Sequence, residues 1–433
     1  MPANKKEIAI IGNGCAAAEC IKALRENGYN GEIHIFTDSR WPIYNPMLTT
    51  YYVSGKIDFD QLFPYGKEQF YKKYNVHLHP GSPVVELDHD KRMVVNSNGL
   101  KLNYDQCLIA SGASPFLPPI EGIDSSRVYT MRNVDDAVRL KETLREKPRK
   151  AIVIGASMIG IKIAELFYQQ GLEVCLADLA KHIFPLAAHP ECARVIEKRL
   201  IEKGIKLRLG AAIKKIVETE QGIEAYFKNS SENEKADLLV ICIGVRANIS
   251  FVDQEKVEVK QGILIDNQMR TNLPGLYAAG DVAQGRNILS GEHEIIGLWA
   301  NARYQGRTAG RNMAGKKETF PGNIPHNITH FMGMDFIGIG DIYHYDKTEK
   351  KYDNKTFIQL FWKDRLLTGA NFLDTYTKAG ALKYALANRS ITSTKDCSYP
   401  LPVIHDMLIK EILTEVKQRE RYSASAQKQN SCS

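Results

Sequence analysis

Two glycine turns carry the chemistry that can be read from this sequence. Gly12-Asn13-Gly14-Cys15-Ala16-Ala17 follows the apolar run Ile8-Ala9-Ile10-Ile11. Asp38 stands about twenty residues beyond the turn. Glycines in such a turn let backbone N–H groups approach a pyrophosphate at a helix N-terminus, while the acid accepts from a ribose hydroxyl. Ala17 stands where a third glycine would be, a replacement the fingerprint tolerates. Gly155-Ala156-Ser157-Met158-Ile159-Gly160 repeats the design, and Asp178 is its acid. With no arginine immediately after it, Asp178 favours NADH over NADPH, because a carboxylate repels a 2′-phosphate. The separation of Gly12 from Gly155 implies two dinucleotide domains rather than a tandem repeat.

Each turn needs a strand before it, a helix after it and a second strand ending at the acid. The first unit predicts a strand at 8–11, an alanine-rich helix to Leu24, a turn at Asn27-Gly28 and a strand at 33–36. The second predicts a strand at 151–154, a helix to about Gln170 and a strand at 173–178. Between them, 40–56 reads as a loop leading into a short helix, and 59–74 as largely helical. Short strands are expected at 76–78, 83–87 and 93–95, with a hairpin turn at 96–99. The run 104–113 is a strand ending in the small residues Ala110, Gly112 and Ala113, which let a cofactor or another backbone come close. Pro115, Pro118 and Pro119 make a stiff connector, and 134–145 is a charged helix opened by Asp135 and Asp136. Further on, 190–203 is a helix and 236–244 a strand ending at Gly244. The segment 271–281 ends in Gly280-Asp281, a carboxylate at a strand tip, and 295–314 is a long helix. From about Phe320 the character becomes α+β, with strands at 336–341, 356–362 and 366–369 and a helix at 377–387. The stretch 414–433 is polar and reads as a mobile tail.

The 433 residues allow two or three domains. The apolar (44%) and charged (25%) fractions are those of a soluble globular protein. A net charge of +7 fits anionic cofactors, and a docking face for an acidic redox partner is a further option. No aromatic-interleaved basic stripe or zinc-finger spacing points to nucleic acid. Met1 to Lys6 leads straight into a strand and no run is long enough to span a membrane, so a cytoplasmic protein is expected. Eight cysteines (15, 20, 107, 175, 192, 242, 397 and 432) show no metal-ligand spacing. Cys107, Cys175 and Cys242 read as small buried hydrophobes. Cys15 and Cys20 lie on different faces of their helix, which speaks against a redox pair. His326 and His330 are four apart, but Pro325 and Asn327 argue against a helix there, and no metal is assigned.

The two turns, the Ala110-Ser111-Gly112-Ala113 strand end, Gly244-Val245-Arg246 and the Thr271-to-Asp281 stretch resemble the FAD-dependent pyridine nucleotide–disulfide oxidoreductase superfamily. The resemblance covers about residues 6–390. Tyr44-Asn45-Pro46-Met47-Leu48 and the stretch Met334 to Asp341 are most similar to its NADH-rubredoxin, ferredoxin and nitrite reductase flavin-domain branch. The resemblance implies an α/β protein with two Rossmann-like domains and a C-terminal α+β interface domain. The FAD domain would be discontinuous (1–115 and 245–319), with the NAD domain (116–244) inserted, followed by the interface domain (320–413) and the tail. It implies that Gly12, Gly14 and Ala17 hold the FAD pyrophosphate, Asp38 its ribose and Asp281 the ribityl side. Arg132 and Trp299 fall beside the flavin, and Arg40, Ala110, Gly112 and Gly280 belong to the same site. Gly155, Ser157, Gly160, Asp178 and Gly244 would hold NAD(H). The activity implied is electron transfer between NAD(H) and a redox protein, either an iron–sulfur protein or a neighbouring enzyme subunit, with a possible oligomer or heteromeric complex. The alternative is an FAD-carrying subunit of a larger oxidoreductase whose second nucleotide fold is weakened or structural only.

The sequence departs from the family in four places. No cysteine lies between Arg40 and Lys56, so neither a redox disulfide nor a single reactive thiol near Pro46 is available. Thr50 stands where the family has lysine, and Lys162 where it has glutamate. Lys162 is then a catalytic candidate that stabilises an anionic reduced flavin, a solvated helix lysine, or the mark of a weakened nicotinamide site. Ser157 places a side chain where the pyrophosphate approaches.

Overall fold

The structure, a computed structural model, describes residues 6–228, 230–353 and 355–375 together with 382, 383, 386 and 387. The first half contains β1 (Glu7–Ile11), α1 (Cys15–Glu26), β2 (Glu32–Phe36), α2 (Thr49–Val53), α3 (Glu68–Lys73), β3 (His77–His79) and β4 (Gln106–Ile109). Next come β5 (Val128–Tyr129), α4 (Val134–Arg145), β6 (Lys150–Ile154), α5 (Met158–Gln169) and β7 (Glu173–Asp178). The series continues with α6 (Pro190–Glu202), β8 (Lys206–Leu209), β9 (Leu238–Ile241), β10 (Leu276–Ala278) and α7 (Trp299–Met313).

The chain divides into two compact units, Met1–Lys181 with Gly204–Asn323, and His182–Lys203 with Ile324–Ser433. The first holds two all-parallel sheets, in the orders β10-β4-β1-β2-β3 and β8-β7-β6-β9-β5. Their central strands are buried almost end to end, as parallel strands covered on both faces must be. In each sheet the strand order reverses beside the glycine-turn strand, β1 or β6, and ligands bind at the carboxyl ends of strands at such a point. The fold is therefore α/β with two Rossmann-like sheets.

In the second unit a five-stranded antiparallel sheet runs β11 (His326–Phe331), β12 (Met334–Gly340), β15 (Leu366–Leu373), β14 (Phe357–Lys363), β13 (Lys347–Tyr352). Helix α6, inside the range expected for NAD, belongs to this unit. Phe184 just before it stacks on Phe336 with centroids 5.0 Å apart, Arg199 pairs with Asp374, and the His189 N–H donates to Asn371 Oδ1 at 2.7 Å.

Several expected elements differ. The helix expected over 59–74 is broken: a 3-10 turn covers Phe59–Leu62 and α3 begins at Glu68. Pro64 restricts the residue before it, and Gly66 takes a left-handed φ of 79°. α7 starts later than 295 because Leu298 is extended as its N-cap. β11 and β13 were not expected as strands. Both are sheet edges that lack a continuous apolar run, β11 being mixed and β13 polar and mostly exposed, so their composition reads as loop. The expected helix at 377–387 falls largely, and the tail at 414–433 with Cys397 and Cys432 wholly, outside the described residues. Among the described residues no helix is long and apolar enough to cross a membrane.

Candidate functional site

Gly12 ends β1 with φ 108°, its N–H donating to the Phe36 carbonyl at 2.8 Å. A Cβ there would stand 2.1 Å from the Ala110 carbonyl oxygen, so only glycine lets the tips of β1 and β4 meet this closely. Gly14 is the N-cap of α1. Nothing lies within 4 Å of where its Cβ would be, and the first turn of α1 has neither a side-chain cap nor an acid. The first N–H groups of α1 are thus left for a ligand, and the turn fits a pyrophosphate. Ala17 is fully buried. Asn13 Nδ2 donates to the Tyr71 hydroxyl at 2.9 Å, which fastens the turn to α3. Asp38 lies exposed just past β2.

The other residues expected at this site divide into two groups. Arg132 Nη2 donates to Asp281 Oδ2 at 2.7 Å, and its Nε to the Ala113 carbonyl at 3.0 Å. The Gly280 N–H donates to Gln305 Oε1 at 2.8 Å. Trp299 opens α7, which also lacks a side-chain cap, and its carbonyl accepts from Cys15 Sγ at 3.8 Å. The Gly112 carbonyl accepts from the Asn248 N–H at 3.0 Å. These residues gather around the ends of β1, β4 and β10. Arg40 does not join them. Its guanidinium pairs with Asp135 at 2.7 Å, both exposed, and lies 4.9 Å from the Trp41 ring centroid. Asp136, read as an ordinary helix-start acid, also accepts from the Arg132 N–H at 2.8 Å and so helps to place that arginine. No motif in the sequence marks Trp41. Its indole N–H is buried without a partner among the described residues, and that signal exists only in three dimensions.

The second turn is built differently. The Gly155 N–H donates to the Ala177 carbonyl at 2.7 Å, and a Cβ at Gly155 would meet the Cys242 carbonyl oxygen at 2.4 Å. A Cβ at Gly160 would stand 1.8 Å from the Gly155 carbonyl oxygen. Ser157 is the N-cap of α5. Its Oγ accepts from the Gly160 N–H at 3.3 Å and donates to the Cys242 carbonyl at 2.9 Å. Asp178 accepts from the Ala156 N–H at 2.6 Å and from the Ala180 N–H at 2.7 Å. Gly244, with φ 112°, follows β9. Lys162 pairs with Glu165 one turn along α5, and its Nζ lies 5.6 Å from the Tyr51 ring centroid on α2. Its side chain is 18% exposed, so it is not a freely solvated lysine.

The six described cysteines are buried free thiols. Burial pushes the Cys15 thiol up to about 12, with Asp281 adding to the effect, which leaves it a poor nucleophile. His326 and His330 both lie on β11 with separate partners, the Ile324 carbonyl for one and Asp335 for the other.

The family model for pyridine nucleotide-disulphide oxidoreductase matches residues 6–306. The chain belongs to this family. It is 29% identical over 388 residues to the NADH-dependent phenylglyoxylate dehydrogenase subunit epsilon of Aromatoleum evansii, covering 88% of this chain and 91% of that one. It is 27% identical to a rubredoxin-NAD(+) reductase of Ectopseudomonas oleovorans, covering 87% and 97%. Among solved structures, the water-forming NADH oxidase of Lactobacillus brevis superposes with a TM-score of 0.86 at 21% identity, covering 95% of this chain and all (100%) of that one, which shows the shared fold.

Proposed function

We propose that this protein is an FAD-dependent oxidoreductase that moves electrons between NAD(H) and a redox protein, an iron–sulfur protein or a neighbouring enzyme subunit. The observation that carries this reading is the pairing of two dinucleotide turns in one compact unit with a segment, residues 21–106, that contains no cysteine. Thiol and disulfide chemistry has no group to work with there, so electrons must leave for an external acceptor. One NADH then reduces two molecules of a one-electron carrier and releases NAD+ and a proton. FAD, when bound, supplies the coupling between a hydride donor and one-electron acceptors.

The residues divide the labour. Gly12, Gly14 and Ala17 cradle the FAD pyrophosphate on the uncapped N-terminus of α1, and Asp38 accepts from the adenosine ribose. Asp281, oriented by Arg132, takes the ribityl side. Trp299, Ala110, Gly112 and Gly280 shape the flavin end, and Arg40, paired with Asp135, stands apart from it. Gly155, Gly160 and Gly244 allow close approach of NAD(H), and Asp178 keeps its turn in shape through the Ala156 N–H. Lys162, tied to Glu165 and set beside Tyr51, positions α5 against α2 where the two nucleotides must meet. We divide the first unit into an FAD part, 1–115 with 245–319, and an NAD part that is 116–244 without the 182–203 segment of the second unit. We expect the reaction to run in the cytoplasm, where NAD(H) is at hand.

A structural-only second site is not favoured, since the Aromatoleum relative belongs to an enzyme named NADH-dependent and the Ectopseudomonas relative is named a rubredoxin-NAD(+) reductase. Anaerobic addition of NADH to the yellow protein tests the proposal. Absorbance near about 450 nm falls on mixing if the reading holds. A spectrum unchanged at millimolar NADH would overturn it.

A further inference from the structure

A hollow of about 250 Å³ lies between α7, the paired strands Ala283–Arg286 and His293–Glu294, and the turn that follows Ile263–Leu264. All of its lining belongs to the first compact unit and includes none of the residues assigned above to either nucleotide. Ile265, Met269, Ile296 and Phe320 give it apolar walls. Asp266, Glu294, Arg286 and His293 also line it, two acids and two bases. Both acids already hold the walls. Asp266 Oδ1 accepts from the Gln268 and Arg270 N–H groups at 2.8 and 2.9 Å, and Glu294 Oε1 accepts from Asn287 Nδ2 at 3.1 Å.

The polar group left over is on Gln305, a residue 3% exposed. Its Oε1 accepts from the Gly280 N–H at 2.8 Å. That bond fixes which end of the amide is which, because only the oxygen accepts. The other end, Nε2, has no hydrogen-bond partner among the described residues. Gly285 leaves room in front of it, since a Cβ there would stand 3.1 Å from Nε2. Asn301, the second buried amide of the lining, is satisfied: it donates to the Ile296 carbonyl at 3.0 Å and accepts from Asn323 Nδ2 at 3.2 Å. Buried donors are paired as a rule, so Nε2 marks a place for an acceptor from outside the chain.

We propose that this hollow binds a small uncharged ring compound bearing a carbonyl, a monocyclic aromatic amide or ketone, whose oxygen accepts from Gln305 Nε2. A cavity of about 150 Å³ holds benzene, so this one has room for a ring and its substituent. The apolar walls take the ring and the single amide fixes its orientation. A charged ligand would lose its hydration against a neutral donor, and two acids with two bases favour neither sign. The site is coupled to the flavin. The amide that meets the ligand also holds Gly280, which precedes Asp281, the carboxylate that Arg132 orients. Donation from Nε2 strengthens acceptance at Oε1, so an occupied hollow holds the Gly280-Asp281 tip and slows loss of FAD.

Benzamide is the probe, titrated by calorimetry into the flavin-loaded protein. It binds saturably, and benzoate and benzylammonium bind at least about tenfold more weakly. Gln305→Glu keeps an oxygen for the Gly280 N–H and removes the donor, so it retains flavin while its Kd for benzamide rises about fivefold or more. Gly285→Ala narrows the space before Nε2 and weakens binding in the same direction. Saturating benzamide slows FAD release in dilute guanidinium at least about threefold. A wild-type crystal soaked in benzamide shows the carbonyl oxygen on Nε2, whichever variants fold. No saturable binding below about 20 mM would overturn the proposal. So would benzoate or benzylammonium binding as tightly, benzamide seated elsewhere in the crystal, or FAD release that benzamide leaves unchanged. None of these readouts uses NADH, so they stand or fall separately from the electron-transfer reading above.

Discussion

Ser157 and Gly14 occupy the same place in two copies of one design, and a single hydroxyl separates their behaviour. Gly14 leaves the first turn of α1 open, whereas Ser157 takes up the Gly160 N–H and ties itself to the Cys242 carbonyl. Removing a serine N-cap costs about 1 kcal/mol when alanine replaces it and only a few tenths when glycine does. Ser157→Ala therefore lowers Tm by a few degrees, and Ser157→Gly by clearly less. Ser157→Gly also frees a donor for the pyrophosphate. A hydrogen bond is worth about 0.5–1.5 kcal/mol, so its Kd for NADH falls about two- to thirteenfold. Thermal melts and stopped-flow flavin reduction check both. A glycine variant that binds NADH more weakly than wild type would mean that the serine serves the nucleotide directly.

At the scale of elements, the first turn depends on how closely α7 lies against α1. Gly306 and Gly310 make that approach possible. A Cβ at Gly306 would stand 2.2 Å from the Ala16 carbonyl oxygen, and one at Gly310 2.3 Å from that of Cys20. Alanine gains about 1 kcal/mol over glycine in a helix interior. Overpacking costs about 1–3 kcal/mol or more, and here the obstacle is backbone, which cannot rotate away. The clash wins. Gly306→Ala is expected to lose about 1–2 kcal/mol and to shed FAD, because displacing α7 moves the helix that carries the turn. The Tm and the flavin-to-protein ratio after gel filtration decide, and a variant at least as stable as wild type with full flavin would refute the account. Gly315, with no obstruction around its Cβ, is the control for a glycine kept only for its left-handed φ.

At the scale of the whole molecule, two groups of ionisable side chains set the acid limit. His34, His77 and His79 stack across β2 and β3, with His34 and His77 centroids 4.6 Å apart. Burial, then the neighbouring His77 and His79, brings His34 down to about 4, and burial followed by His77 lowers His79 as well. His34 and His79 therefore stay neutral in the fold at pH values where the unfolded chain, titrating at about 6.5, is already protonated. Their contribution is complete above that pH and is lost as pH falls from about 6.5 towards 4. Glu19, held at about 2 against its burial by hydrogen bonds from Arg307, Lys22 and Tyr65, has the opposite charge but the same direction, its contribution being lost as pH falls from about 4.3 to 2. Tm is expected to decline in two stages on acidification. His34→Gln flattens the upper stage and leaves the lower one, and an unchanged upper stage would assign it to other groups.

Local pattern was enough for the two strand–turn–helix–strand units, because backbone close approach demands glycine at fixed spacing and apolar runs demand a parallel, covered sheet. The bounds of α4 follow from its sequence for the same local reason: Asn133 and Asp136 form a capping box ahead of a periodic apolar face. The edge strands β11 and β13 were not legible, since a strand exposed on one edge needs no apolar signature. Nor was the place of α6, whose apolar face fits either unit until packing with Phe184 and Asn371 decides. The partners of charged groups were the least legible. Sequence spacing set Lys162 where the family has an acid, but only the fold placed it against Glu165 and Tyr51. Likewise the sequence contains Glu19, Arg303, Arg307 and Lys22 far apart, and it is the packing of α7 on α1 that brings them together. Motifs are local and survive in one dimension. Electrostatic pairing depends on inverse distance, and distance is what the tertiary structure supplies.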